Sequence, residues 1–136
     1  MKPRLFVVWF GLVLAVLGVG AAEPKPEAPK VIRNVGVEEF DKLRADRNNI
    51  ILDVRTASEF ERGHIPGAIN LDYNSAEFAK KLAELDKNKT YLVHCAAGVR
   101  SAKACALMEK SEFKQMVNLE PGFRAWEKAG KPVEKK

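Results

Sequence analysis

Two cysteines and two histidines among 136 residues leave little material for a metal centre or a disulfide framework. Cys95, Cys105, His64 and His94 do not fall into metal-ligand spacing with one another or with the carboxylates, and no glycine-rich phosphate loop is present. No metal and no cofactor are therefore expected. The chain also lacks a long run of like charge. Its 23 basic and 18 acidic side chains give +5, falling to +3 without Lys2 and Arg4, and the excess is spread over scattered lysines, which gives counterion-release binding to nucleic acid little support. Internal repeats are absent. What remains, at 46% apolar and 30% charged residues, is enough for one ordinary hydrophobic core and too little chain for two.

One long apolar run does occur. Lys2 and Arg4 precede Leu5 to Ala22, a stretch without a polar or charged side chain that ends in Gly20-Ala21-Ala22. This is the layout of a secretory signal peptide over residues 1–22, with cleavage expected after Ala22. An uncleaved anchor through residues 5–22 is the rival, because the run sits at the lower edge of what spans a bilayer. Residues 23–30, EPKPEAPK, form a proline-rich linker that favours extended conformations and cannot pack. The expected location is outside the cytoplasm, periplasmic in a Gram-negative source, with no stable membrane contact once the signal is removed.

From Val31 short apolar runs alternate with amphipathic stretches. Strands are predicted at 31–35, 50–54, 68–71, 90–94 and 116–119. Helices are predicted at 37–46, at 58–62 behind a Thr56 or Ser58 cap, and at 75–85, 100–110 and 123–129. Strands buried on both faces and alternating with helices imply an α/β domain over 31–133, a mostly parallel sheet flanked by helices, followed by a charged tail at 134–136. Ligands of such sheets bind beyond the carboxyl ends of the strands, which directs attention to His94-Cys95.

Cys95 follows an apolar strand and is followed by Ala96-Ala97-Gly98-Val99-Arg100-Ser101, after which a helical pattern starts. A loop of small residues closing on a helix N-terminus leaves backbone N–H groups pointing inward, and a thiolate held there is stabilised by them and by the helix dipole. Gly98 lets the backbone turn, and Arg100 adds a positive charge that either assists electrostatically or forms a structural salt bridge. A buried cysteine acting as a small hydrophobe is the competing reading, and it suits Cys105, mid-helix among Ala102, Ala106 and Met108. That helical placement also disfavours a Cys95–Cys105 disulfide. On strand alternation His94 points away from Cys95. Asp53, Arg55 and Glu59 suit an ion-pair scaffold, His64 a hydrogen-bonded loop anchor, and Trp126 the core.

The loop Cys95-Ala96-Ala97-Gly98-Val99-Arg100-Ser101 resembles the active-site loop of the rhodanese family. Leu52-Asp53-Val54-Arg55 and Gly63-His64-Ile65-Pro66-Gly67-Ala68-Ile69-Asn70 resemble its N-terminal signature, and Gly122-Phe123-Arg124-Ala125-Trp126 with Ala129-Gly130-Lys131-Pro132-Val133 its C-terminal one. The resemblance implies a three-layer rhodanese-like domain in which Cys95 is the catalytic nucleophile and the backbone of Ala96, Ala97, Gly98, Val99 and Arg100 cradles a persulfide. It further implies a sulfurtransferase that takes sulfur from a small-molecule donor such as thiosulfate and passes it to cyanide or a thiol, an exported thiol protein among the possible acceptors. A binding module or sulfur carrier without turnover is the alternative. Cysteine-based phosphatases are similar in layout but carry one residue more between cysteine and arginine, and the tighter loop here suits a single sulfur atom. Two departures stand out. Pro121-Gly122 replaces the family's usual glycine pair, and Ala96 and Ala97 offer neither hydroxyl nor charge, which leaves the donor open.

Overall fold

The computed structural model describes Gly20 and residues 30–136; the signal or anchor reading and nearly all of the linker lie outside the described residues. Among the described residues no helix is long and apolar enough to cross a membrane.

Five strands, β1 (Val31–Val35), β2 (Ile50–Asp53), β3 (Ile69–Asn70), β4 (Thr90–His94) and β5 (Gln115–Leu119), form one sheet in the order β1-β5-β4-β2-β3. Every pairing is parallel, so each connection must cross a face of the sheet, and helices fill that role. Among the described residues the helices are α1 (Val37–Arg44), α2 (Ala57–Arg62), α3 (Phe78–Ala83), α4 (Val99–Lys110) and α5 (Gly122–Lys128).

Strand alternation sorts the core into two halves. Leu52, Val54, Tyr91, Val93, Cys95 and Met116 pack against Phe78 and Leu82 of α3 and Ala104, Cys105 and Met108 of α4. Ile51, Leu92, Val117 and Leu119 pack on the opposite face against Phe40 of α1 and Phe123 and Trp126 of α5. The result is the expected three layers of helix, sheet and helix.

β1 and β4 end where predicted, and the other element ends that move do so by one to three residues. The largest change is at 75–85, where only residues 78–83 are helical; the preceding residues are held by turns, Ser75 N–H on Asp72 C=O and Phe78 N–H on Ser75 C=O. Between the two candidate caps it is Thr56 that caps α2, accepting from Glu59 N–H while the Glu59 carboxylate reaches back to Thr56, a complete capping box. Strand β3 keeps two of its four predicted residues. Residues 134–136 return to the fold: Glu134 exchanges backbone hydrogen bonds of 2.9 Å with His64, and Lys136 N–H donates to Glu61 C=O.

Strands β2 and β4 lie side by side, yet the chain leaves β2 towards one sheet edge and β4 towards the other. Adjacent strands whose connections diverge open a crevice at their carboxyl ends. Cys95 is the first residue beyond β4 at that position.

Candidate active site

Gly98 is the N-cap of α4 with φ 90°, a left-handed conformation that a side chain resists. A Cβ at that position would also come within 2.1 Å of the Glu120 carbonyl oxygen. The loop therefore closes tightly enough for Gly98 N–H to donate to Cys95 Sγ at 3.2 Å. Ser101, one turn into α4, completes the enclosure. The Cys95 thiol lies 3.3 Å from Ser101 Oγ, and once Cys95 is ionised that hydroxyl donates back to the sulfur.

Burial pushes the Cys95 thiol pKa up, but the Ser101 hydroxyl and the backbone N–H groups of Ser101, Ala97 and Gly98 outweigh it, and the net displacement is downward from 9.0. The pull is local and directional, as expected where unpaired N–H groups at a helix N-terminus meet an anion. Cys105 shows the contrast. It is fully buried in the α3/α4 half of the core, where burial first and the neighbouring Cys95 second push its thiol up to about 12. Both cysteines are free thiols.

The residues of the predicted cradle part company. Gly98 directs its N–H at the sulfur, and the backbone of Ala97 adds to the lowering of the thiol pKa. Ala96 instead offers its carbonyl to Arg124 N–H at 3.1 Å, while Cys95 C=O accepts from Phe123 N–H at 2.8 Å, so the start of α5 grips the loop from behind. Val99 points to solvent at 62% exposure. Arg100 forms a two-pronged pair with Glu59, at 2.7 and 3.1 Å. The Arg100 guanidinium holds the Glu59 carboxyl down at about 2, against the opposing effect of burial, and the loop is thereby pinned to α2.

Ser101 is the contributor that sequence reasoning left without a role. It stands in the quoted loop, and a hydroxyl in the first turn of a helix directly after a cysteine was the available signal. Glu59 was legible as part of an ion-pair scaffold, but the scaffold divides in two. Glu59 serves Arg100, whereas buried Asp53 takes the Arg55 guanidinium at 2.7 Å and the Arg55 N–H at 3.0 Å. Arg55 also donates to Gly63 C=O and lies 4.0 Å over the Phe123 ring.

His94 lies on the face opposite Cys95, in contact with Phe40 and Phe123. Burial lowers its pKa, with Asp53 at 3.5 Å acting in the other direction, and its Nδ1 lies 3.4 Å from the Cys95 carbonyl oxygen. His64 is anchored by Phe60 C=O at 2.8 Å and the Glu134 carboxylate at 3.1 Å. Trp126 is fully buried and donates to Pro132 C=O. Gly122, the glycine that follows Pro121, adopts φ 76° directly against the loop. The turn thus needs glycine at that one position, and Pro121 sits in ordinary helical geometry. Among the described residues no group of three or more His, Cys, Asp or Glu side chains could hold a metal ion.

Comparison with known proteins agrees with this geometry. The family model of the Rhodanese-like domain matches residues 36–129. The chain is 36% identical over 92 residues to the provisionally named sulfurtransferase YtwF of Bacillus subtilis (strain 168), covering 68% of this chain and 86% of that protein. It is 35% identical over 105 residues to the provisionally named sulfur carrier protein YrkF of the same organism. That match covers 76% of this chain and 56% of YrkF, so this chain spans little more than half of that relative's length. Among solved structures, a rhodanese-related protein from Thermoplasma volcanium superposes with a TM-score of 0.67 at 28% identity, covering 76% of this chain and 99% of the other. With its five-stranded parallel sheet and its cysteine-headed loop on a helix N-terminus, the chain belongs to the rhodanese-like domain family of sulfurtransferases and sulfur carriers.

Proposed function

We propose that the protein is a sulfurtransferase of the thiosulfate type that works through a persulfide on Cys95. The observation that carries this reading is the convergence of Gly98 N–H and the Ser101 hydroxyl on a buried Cys95 sulfur whose pKa is lowered. In the first half-reaction the Cys95 thiolate attacks the outer sulfur of thiosulfate. A sulfur–sulfur bond to Cys95 forms, the bond to the sulfonate sulfur breaks, and sulfite leaves with the electron pair. In the second, cyanide or a thiolate attacks the terminal persulfide sulfur, and the Cys95 thiolate is regenerated. The anionic outer sulfur finds in the loop the kind of N–H enclosure that stabilises developing charge in acyl transfer. Arg100, committed to Glu59, holds the loop in shape and contributes its charge from a distance.

The test is intact-mass measurement of the protein after incubation with thiosulfate. The expected result is a gain of one sulfur that cyanide removes and that Cys95→Ala lacks; an unchanged mass in the wild type would sink the reading. Persulfide formation without turnover to any small acceptor would point instead to a carrier that hands sulfur to a thiol protein. We further propose that residues 1–22 direct export and are removed after Ala22, which N-terminal sequencing of the mature protein decides.

A further inference from the structure

The Cys95 loop offers backbone N–H groups but, at Ala96 and Ala97, no side chain able to recognise a charged donor. A cavity of about 220 Å³ opens beside the loop, between α2 and α5, and Ala96 forms part of its wall. Four of its charged lining residues come in sequence order as Arg55, Glu59, Arg62 and Arg124, and Glu127 completes the set. Two of these charges are already spent: Arg55 is paired with Asp53, and Glu59 with Arg100. The three that remain, Arg62, Arg124 and Glu127, are exposed and make no ion pair with one another or with any other described residue. Arg62 comes from the last turn of α2, and Arg124 and Glu127 from the first and last turns of α5. The N–H groups at the start of α5 are no rival recognition element, because Phe123 and Arg124 direct theirs at the carbonyls of Cys95 and Ala96.

We infer that Arg62 and Arg124 form the anion-recognition site for the sulfur donor, receiving the sulfonate end of a thiosulfate-like dianion and then the departing sulfite, and that Glu127 opposes them and weakens donor binding. The inference rests on the sulfurtransferase reading above, and it assigns donor selection to two helices outside the catalytic loop. An anion entering the cavity meets two cations without acidic partners and one carboxylate. Removing a cation and removing the carboxylate must therefore shift affinity in opposite directions, a pattern that loss of shape alone does not produce.

Steady-state thiosulfate:cyanide assays on Arg62→Gln, Arg124→Gln and Glu127→Gln provide the kinetic readout. Each arginine variant is expected to raise KM for thiosulfate about fivefold with kcat within about twofold, as for loss of one charge contact at a partly exposed site. Glu127→Gln is expected to lower KM. Calorimetric titration of thiosulfate into Cys95→Ala protein, alone and combined with each variant, reads the same contacts without any reaction. If the wild type forms no persulfide, the sulfurtransferase reading falls while the titration still decides whether the arginines bind the anion. The inference is overturned if both arginine variants bind thiosulfate as tightly as the Cys95→Ala parent, or if Glu127→Gln binds it more weakly.

Discussion

A Cβ built on Gly122 would stand 2.3 Å from the Ala96 carbonyl oxygen and 2.6 Å from the Ala97 nitrogen. The final helix thus meets the catalytic loop backbone to backbone, with no room for a methyl group. Gly122→Ala adds a left-handed conformational penalty to that clash and is expected to cost about 1–3 kcal/mol. Persulfide yield should fall more than stability does, because the displaced atoms belong to the loop. Urea unfolding and intact-mass measurement on one sample separate the two effects.

Ser101 and the loop N–H groups keep the Cys95 pKa below that of an ordinary thiol. Alkylation by iodoacetamide should accordingly persist at pH values where a free cysteine is slow. Ser101→Ala, which removes a hydroxyl donor and leaves the backbone intact, should move the midpoint of the pH–rate profile upward. Cys105, pushed up to about 12, should stay unmodified throughout. Peptide mapping that finds Cys105 as the faster site, or a Cys95–Cys105 disulfide as the main species after mild oxidation, would contradict this assignment.

Glu59 carries a pH-dependent share of stability. Its carboxyl is held at about 2 in the folded protein against 4.5 for the free group. The stabilisation is complete above about pH 4.5 and is lost as pH falls towards 2, since a depressed folded pKa favours the native state only while the group is ionised. Glu59→Gln should cost on the order of 1 kcal/mol at neutral pH and flatten the acid limb of the stability profile. Parallel acid limbs in wild type and variant would show that the Arg100 pair contributes nothing to folding.

Asp53 offers a harsher test. It is fully buried, and the Arg55 guanidinium it holds is nearly so. Asp53→Asn preserves shape but leaves a buried cation without a counter-charge, a loss of about 3–5 kcal/mol where such pairs are broken from one side. Because Arg55 also lies over Phe123 and bonds Gly63, hydrogen exchange at residues 63–65 and 122–124 should rise together.

Much of this architecture is legible in the order of residues. Apolar runs such as Tyr91-Leu92-Val93 mark strands covered on both faces, and the small-residue loop after Cys95 announces a helix N-terminus and an anionic sulfur. What escapes is non-local. Nothing near Arg100 in sequence says that its partner is Glu59, 41 positions earlier. Nothing near Glu134 says that it will pair with His64, 70 positions away. Phe78 to Ala83 has a helical face, but the length of α3 is set by the turns that deliver the chain to it. Ser101 was visible and unassigned, because a hydroxyl in a helix's first turn can equally serve as a cap.

The grip of α5 on the carbonyls of Cys95 and Ala96 also divides the nucleophile's support between two parts of the chain. The groups that polarise the sulfur belong to the loop and the start of α4, while the backbone that holds the loop from behind comes from Phe123 and Arg124. A chain cut short ahead of Gly122 therefore keeps every donor to the sulfur and loses the brace that fixes two of the loop's carbonyls.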